Sequence, residues 1–179
     1  VVESSNSNNG NTNKKESTKT SSSSSSSLRE DFTQQWLSTT TVDTPSQDWK
    51  SRVEWAAASY LALTPATHMM LLEPGALVYR LGITSTSSSS SAETGANAAL
   101  QALNKSTSGR IALPATHPVV VALVPDTHNR AVVLQRIMGP TGDNGDGDRC
   151  WLMASDQLLA SFTQQELKWL GQLAKYVEE

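Results

Sequence analysis

The stretch THMMLLEPGALVYRLGI, residues 67–83, decides the architecture. Its centre, Glu73-Pro74-Gly75, is a turn-forming run: proline presets φ for the second turn position, and glycine tolerates the positive φ of the third. The flanking runs, 67–72 and 76–83, read as two extended segments of one β-hairpin. In the second run Leu77, Tyr79, Leu81 and Ile83 alternate with Ala76, Val78, Arg80 and Gly82, which gives one buried face and one mixed face.

Before the hairpin, Thr44-Pro45-Ser46-Gln47 predicts a helix start, with Thr44 as N-cap, Pro45 at the first helical position and Gln47 closing a capping box. From there Trp49, Val53, Ala56, Ala57, Tyr60 and Leu61 hold one helical face as far as Leu63, while Trp55 points almost the opposite way at 100° per residue. Further upstream, Leu28, Phe32 and Trp36 fall on one helical stripe behind a Ser27/Glu30 capping pair, which predicts a short helix. So short a helix needs something to dock on, either its own domain or a partner.

Beyond the hairpin, residues 84–96 read as a Ser-rich loop and 98–103 as a single helical turn. Residues 110–113 form a weak strand. Residues 119–124, apolar at every position, suit a central strand covered on both faces. That strand is expected to pair with 131–138, and a polar loop at 139–149 leads to a last strand, 150–154. The C-terminus carries the clearest helix: Thr163 and Glu166 form a capping box, Phe162 and Leu167 a hydrophobic staple, and Leu167, Leu170, Leu173, Ala174 and Val177 an apolar face. The segments sum to an α+β fold: an antiparallel sheet of five or six short strands, curled toward a partial barrel, with two packed helices. Residues 1–26, nearly devoid of apolar side chains, form a disordered Ser/Asn-rich arm, and 27–179 form a single domain.

Two echoes raise the question of duplication. Pro65-Ala66-Thr67-His68 and Pro114-Ala115-Thr116-His117 each precede an extended segment. Phe32-Thr33-Gln34-Gln35 and Phe162-Thr163-Gln164-Gln165 each mark an expected helix start.

The totals narrow the function. Fourteen Lys and Arg stand against seventeen Asp and Glu, a net charge of −3. Nucleic-acid binding needs a concentrated basic patch, and Lys14, Lys15 and Lys19 are diluted by Ser and Asn, so no nucleic-acid partner is expected. One cysteine, Cys150, allows no internal disulfide. No apolar run approaches the ~20 residues that span a bilayer, which leaves at most a peripheral place on a membrane complex. A first residue other than Met suits removal of a targeting segment, and homopolymeric serine at 21–27 and 87–91 suits a eukaryotic nuclear gene. Both favour an organelle, with plastid ahead of mitochondrion because the chain is acidic.

No motif for chemistry survives inspection. His68, His117 and His128 each follow a threonine, but their spacing is not that of metal ligands, so no metal or cofactor is expected. The run Gly142-Asp143-Asn144-Gly145-Asp146-Gly147-Asp148 fits an EF-hand loop in neither register. Asp126 and His128, two apart in a turn, are better placed to fix that turn than to form a dyad. Cys150 beside Trp151 looks like core, and no Gly-x-Ser-x-Gly elbow or phosphate-cradling glycine pattern occurs.

What remains is five tryptophans. Trp36 and Trp55 are the least explained by a domain core, and tryptophan is enriched at interface hot spots. The resulting expectation is a non-catalytic accessory subunit of a larger protein assembly in an organelle, a photosynthetic complex included, gripping other subunits through Phe32, Trp36 and Trp55. The alternatives are a small-molecule-binding domain using the curled sheet as a pocket, and an unusual hydrolase using His68 or His117.

Overall fold

The computed structural model describes residues 32–37, 46–83, 89–137 and 148–178. The hairpin at the centre of the sequence forms as expected, from β2 (His68–Glu73) and β3 (Ala76–Ile83). Gly75 sits at φ 74°, the value a Pro-Gly type II turn requires at its third position. On one side of the hairpin β3 pairs with β1 (Phe32–Trp36), and on the other β2 pairs with β6 (Arg149–Ser155). The sheet continues through β5 (Ala131–Ile137) to β4 (Arg110–Leu113), in the order β1-β3-β2-β6-β5-β4, with every pair antiparallel. The α+β antiparallel architecture therefore stands. The sheet stays open, with β1 and β4 as its two edges, and does not curl into a barrel.

Four α-helices cover the sheet among the described residues, not two. α1 (Gln47–Leu63) and α4 (Gln164–Glu178) lie together on one face. There Val53, Ala57, Tyr60, Leu170, Leu173 and Val177 meet Met69, Leu71, Tyr79, Trp151 and Met153 in a single core. On the other face, α2 (Ser89–Asn104) and α3 (Pro118–Leu123) bury Ala96, Ala99, Leu103, Val119, Val120 and Leu123 against Met70, Leu134, Leu152 and Ala154. The central strands are covered on both faces, and the second face of β3 is mixed as expected, with Val78 and Gly82 buried and Ala76 and Arg80 partly exposed. Fully burying one such aliphatic side chain contributes about 1.5–3 kcal/mol, so two cores of this size dominate the stabilising side.

Several local expectations are corrected. The helix expected over 28–36 is a strand from Phe32 onward. An isolated helix of that length is marginal, and a free sheet edge on β3 offers its backbone a full ladder; residues 1–31, the expected arm at 1–26 included, lie outside the described residues. The expected strand at 119–124 is α3. An all-apolar run of six is ambiguous between buried strand and buried helix. The flanking residues settle it: His117 caps the helix, its Nδ1 accepting the Val119 N–H at 3.3 Å, and Pro118 at the first position cannot donate to a sheet ladder. The partners of β5 are consequently β4 and β6. From Ser89 onward the expected Ser-rich loop and single turn are replaced by α2, in which Ala92, Ala96, Ala99 and Leu103 form an apolar stripe at helical spacing, while residues 84–88 lie outside the described residues. Within it Gly95 lets α3 approach closely: a Cβ there would stand 2.7 Å from Leu123 Cγ. Ser46, not Thr44, caps α1, its Oγ accepting the Trp49 N–H at 3.2 Å; Thr44 and Pro45 lie outside the described residues.

Both echoes dissolve in three dimensions. Thr67-His68 opens a strand, whereas Thr116-His117 opens a helix; Phe32 begins a strand, whereas Phe162 precedes helix α4. The C-terminal capping box is as read: the Glu166 carboxylate accepts the Thr163 N–H at 2.6 Å, and Thr163 Oγ1 accepts the Glu166 N–H at 3.1 Å. Thr163→Ala is expected to lower the unfolding free energy by about 1 kcal/mol in urea denaturation, without changing the urea dependence.

Candidate functional site

Antiparallel pairing places directly opposed side chains on the same face. One such row crosses the whole sheet beneath α1 and α4: Trp36, Tyr79, Leu71, Trp151, Gln135 and Arg110. Its middle, Tyr79, Leu71 and Trp151, is buried and largely aromatic, and its two ends reach the open edges.

At the β1 end, Trp36 packs its ring 4.7 Å from Tyr79 and 5.9 Å from Trp49, centroid to centroid. Its indole N–H donates to Glu54 Oε1 at 2.7 Å, and Lys50 Nζ stands 5.6 Å over the ring. The polar handle of Trp36 is therefore already engaged by α1, and Phe32 is half-buried against the same core. Nearby, Arg149 lies 4.8 Å over Trp49 and its Nε sits 2.7 Å from the buried carboxylate of Glu73.

Trp55 has a different setting. It is 53% exposed on the outer side of α1 and meets Tyr176 of α4, itself 39% exposed, edge-on at 5.2 Å. The Arg52 guanidinium lies 5.7 Å over the Tyr176 ring and is also held by Asp48, four residues earlier, at 3.1 Å. Leu63 at the end of α1 is 70% exposed. Trp, Tyr and Arg are the side chains that most often anchor interfaces, and here they lie against one another. Trp55 was legible from the helical wheel. Tyr176 and Arg52 were not, because only packing of α1 on α4 brings them together.

At the β4 end, the row stops at a cleft of about 520 Å³ lined by Ser108, Arg110, Ile111, Ala112, Val133, Leu159 and Leu167. Arg110 Nε donates to Gln135 Oε1 at 2.7 Å, and the Gln135 amide is anchored on the Arg136 carbonyl at 3.2 Å. No sequence motif pointed to Arg110, which stood in a segment read only as a weak strand.

The three histidines separate. His117 caps α3. His68 and His128, distant in sequence, face each other at 5.0 Å between ring centroids. The His68 ring is buried: Nε2 donates to the Ile83 carbonyl at 2.7 Å, and Nδ1 lies 3.0 Å from Thr67 Oγ1. Burial, more than the neighbouring His128 and Arg80, lowers its pKa to about 4, so the ring is neutral at pH 7. A hydroxyl and an imidazole thus adjoin, with Thr67 fully buried. Asp126 and His128 share a single 3-10 turn, Asp126–His128. Cys150 is core, as read, and burial pushes its thiol up to about 12, far from the thiolate a nucleophile needs. Among the described residues no group of three or more His, Cys, Asp or Glu side chains is arranged to hold a metal ion, and no helix is long and apolar enough to cross a membrane. Residues 138–147, with most of the Asp/Gly run, lie outside the described residues.

The fold and its surfaces thus define the chain as an α+β domain with an open six-stranded sheet sandwiched between two helix pairs. Comparison with protein families, with known proteins and with solved structures finds no match.

Proposed function

We propose that the chain is a non-catalytic accessory subunit of a larger protein assembly, and that it docks through the outer face of α1 and α4 around Trp55. The observation that carries this reading is the exposed Trp55 held edge-on by Tyr176, with the Arg52 guanidinium 5.7 Å over the Tyr176 ring. Ring–ring and cation–ring contacts fix these side chains before binding, so little rotamer freedom is lost when a partner covers them. Phe32 and Trp36 belong to the same reading as half-exposed side chains at the β1 edge. Their engagement with Tyr79, Trp49 and Glu54 makes them a rim rather than the anchor. An organellar setting, plastid before mitochondrion, is part of the proposal and rests on the serine homopolymers and the acidic balance.

Affinity capture of the tagged chain from its native extract tests the reading. Wild type is expected to co-purify with defined protein subunits, and Trp55→Ala to lose them, its melting temperature being unchanged within about 2 °C. Truncating one anchor of this kind weakens binding by about 2 kcal/mol or more, roughly 30-fold. A monodisperse monomer that captures nothing, or a Trp55→Ala variant that captures as well as wild type, would sink the proposal.

A further inference from the structure

The cleft at the β4 edge shares no residue with the aromatic patch, and its chemistry is different. Five of its seven lining residues are apolar: Ile111, Ala112, Val133, Leu159 and Leu167. Of the two polar ones, Ser108 is committed internally, its Oγ donating to the Arg110 carbonyl at 2.8 Å. That leaves Arg110 as the one charged group lining the cleft among the described residues. Its side chain is half-buried and is aimed by Gln135, which takes the Nε–H and leaves the outer nitrogens of the guanidinium for another acceptor.

Arg110 also reaches α4. A Cβ at Gly171 would stand 3.0 Å from Arg110 Nη2, so the guanidinium passes over a helical position that has no side chain. Glycine inside a helix costs about 1 kcal/mol relative to alanine, and here its small size gives the guanidinium a seat. Among the described residues the ion pairs are Arg52 with Asp48 and Arg149 with Glu73, and neither involves Arg110. Glu166, near the start of α4, has its carboxylate turned to the Thr163 N–H. A seated guanidinium, partly withdrawn from water and without an anion, is a receptor for one.

We infer that this cleft binds a small monocarboxylate with an apolar body, the carboxylate on Arg110 and the body along Ile111, Ala112, Val133, Leu159 and Leu167. One lining cation balances one negative charge, whereas a phosphate dianion would stay under-neutralised where the described lining offers no second cation. The volume lies within the roughly 300–1,000 Å³ of small-molecule sites, and the apolar walls disfavour a short, fully polar acid such as acetate.

Sodium octanoate is the probe, titrated into the full 179-residue chain below its micellar range and followed by amide chemical shifts. Saturable shifts are expected at Gly109, Ala112 and Val133, with octan-1-ol binding at least tenfold more weakly. Arg110→Gln, which keeps a hydrogen-bonding side chain and removes the charge, should weaken octanoate at least tenfold and leave octan-1-ol unchanged. Should Arg110→Gln fail to fold, Ala112→Phe at an exposed strand position should block the cleft and produce the same loss. The inference is overturned if octanoate gives no saturable shifts, if octan-1-ol binds as well, if the folded variants bind octanoate like wild type, or if octyl phosphate binds tenfold more tightly than octanoate. None of these results bears on the Trp55 face, so the two proposals fail separately.

Discussion

Replacing Gly82 by alanine is expected to lower the unfolding free energy by about 2–6 kcal/mol, a large part of the roughly 5–15 kcal/mol typical of a domain. Gly82 sits at φ 147°, a region that residues with a Cβ essentially do not occupy. It also lies directly opposite His68 in the β2–β3 register. An added Cβ would collide with the Thr67 carbonyl oxygen, and would stand 2.9 Å from His68 Cα and 3.0 Å from His68 Cδ2. Two of these three neighbours are backbone atoms, so relief means separating β2 from β3 at the point where β1 also joins. Gly75→Ala is the internal control. That residue too has a positive φ, 74°, but nothing lies within 4 Å of its hypothetical Cβ. It should lose only the conformational term, about 1 kcal/mol. Chemical denaturation of both variants decides the point, and a Gly82→Ala chain no less stable than Gly75→Ala would contradict this reading of the hairpin.

The second large effect is in acid. His68 is 3% exposed, and its native pKa of about 4 lies below the ordinary 6.5. The folded state therefore holds the ring neutral, while the unfolded chain takes up a proton once the pH falls below about 6.5. Stability from this group is complete above that pH, declines as the pH falls from 6.5 to 4, and by pH 4 has dropped by about 3 kcal/mol. Burial is the main cause; His128 and Arg80 add to it, while the Ile83 carbonyl and Asp156 oppose it. His68→Gln keeps a donor for the Ile83 carbonyl and cannot titrate. Between pH 7 and 4.5 the wild type should lose roughly 2 kcal/mol more than this variant in urea denaturation. Parallel losses would show that carboxylates alone carry the acid sensitivity.

Where the sequence was legible, short-range chemistry decided. The Pro74-Gly75 turn, the Thr163/Glu166 capping box and the apolar face of α1 each depend on residues within a few positions of one another, and each is present in the structure. Where reading failed, a distant partner or an unfamiliar composition overrode the local signal. Phe32–Trp36 carries a helical stripe yet extends, because β3 presents a ladder of unpaired backbone groups. The Ser/Ala/Gly run became α2 because small side chains let it lie close to α3 and the sheet, a reward that composition does not show.

The candidate sites divide in the same way. Trp55 was visible as a stray indole on a helical wheel, but Tyr176 and Arg52 became its neighbours only when α1 packed on α4. Arg110 carried no motif at all. Its significance comes from strand register, which sets Gln135 opposite it, and from Gly171 on a helix sixty-one positions away.

By itself, then, the sequence determined an antiparallel hairpin-centred α+β domain, a helix ending at Leu63 and another over 164–178, and a surplus of indole, since these follow from turn geometry, capping and periodicity along the chain. Tertiary structure alone decided the open six-stranded order, the second helix pair, and the grouping of Tyr176 and Arg52 with Trp55 and of Gln135 and Gly171 with Arg110. Those depend on which edges meet, and the energy of that meeting lies in buried area and backbone pairing between segments that no local pattern connects.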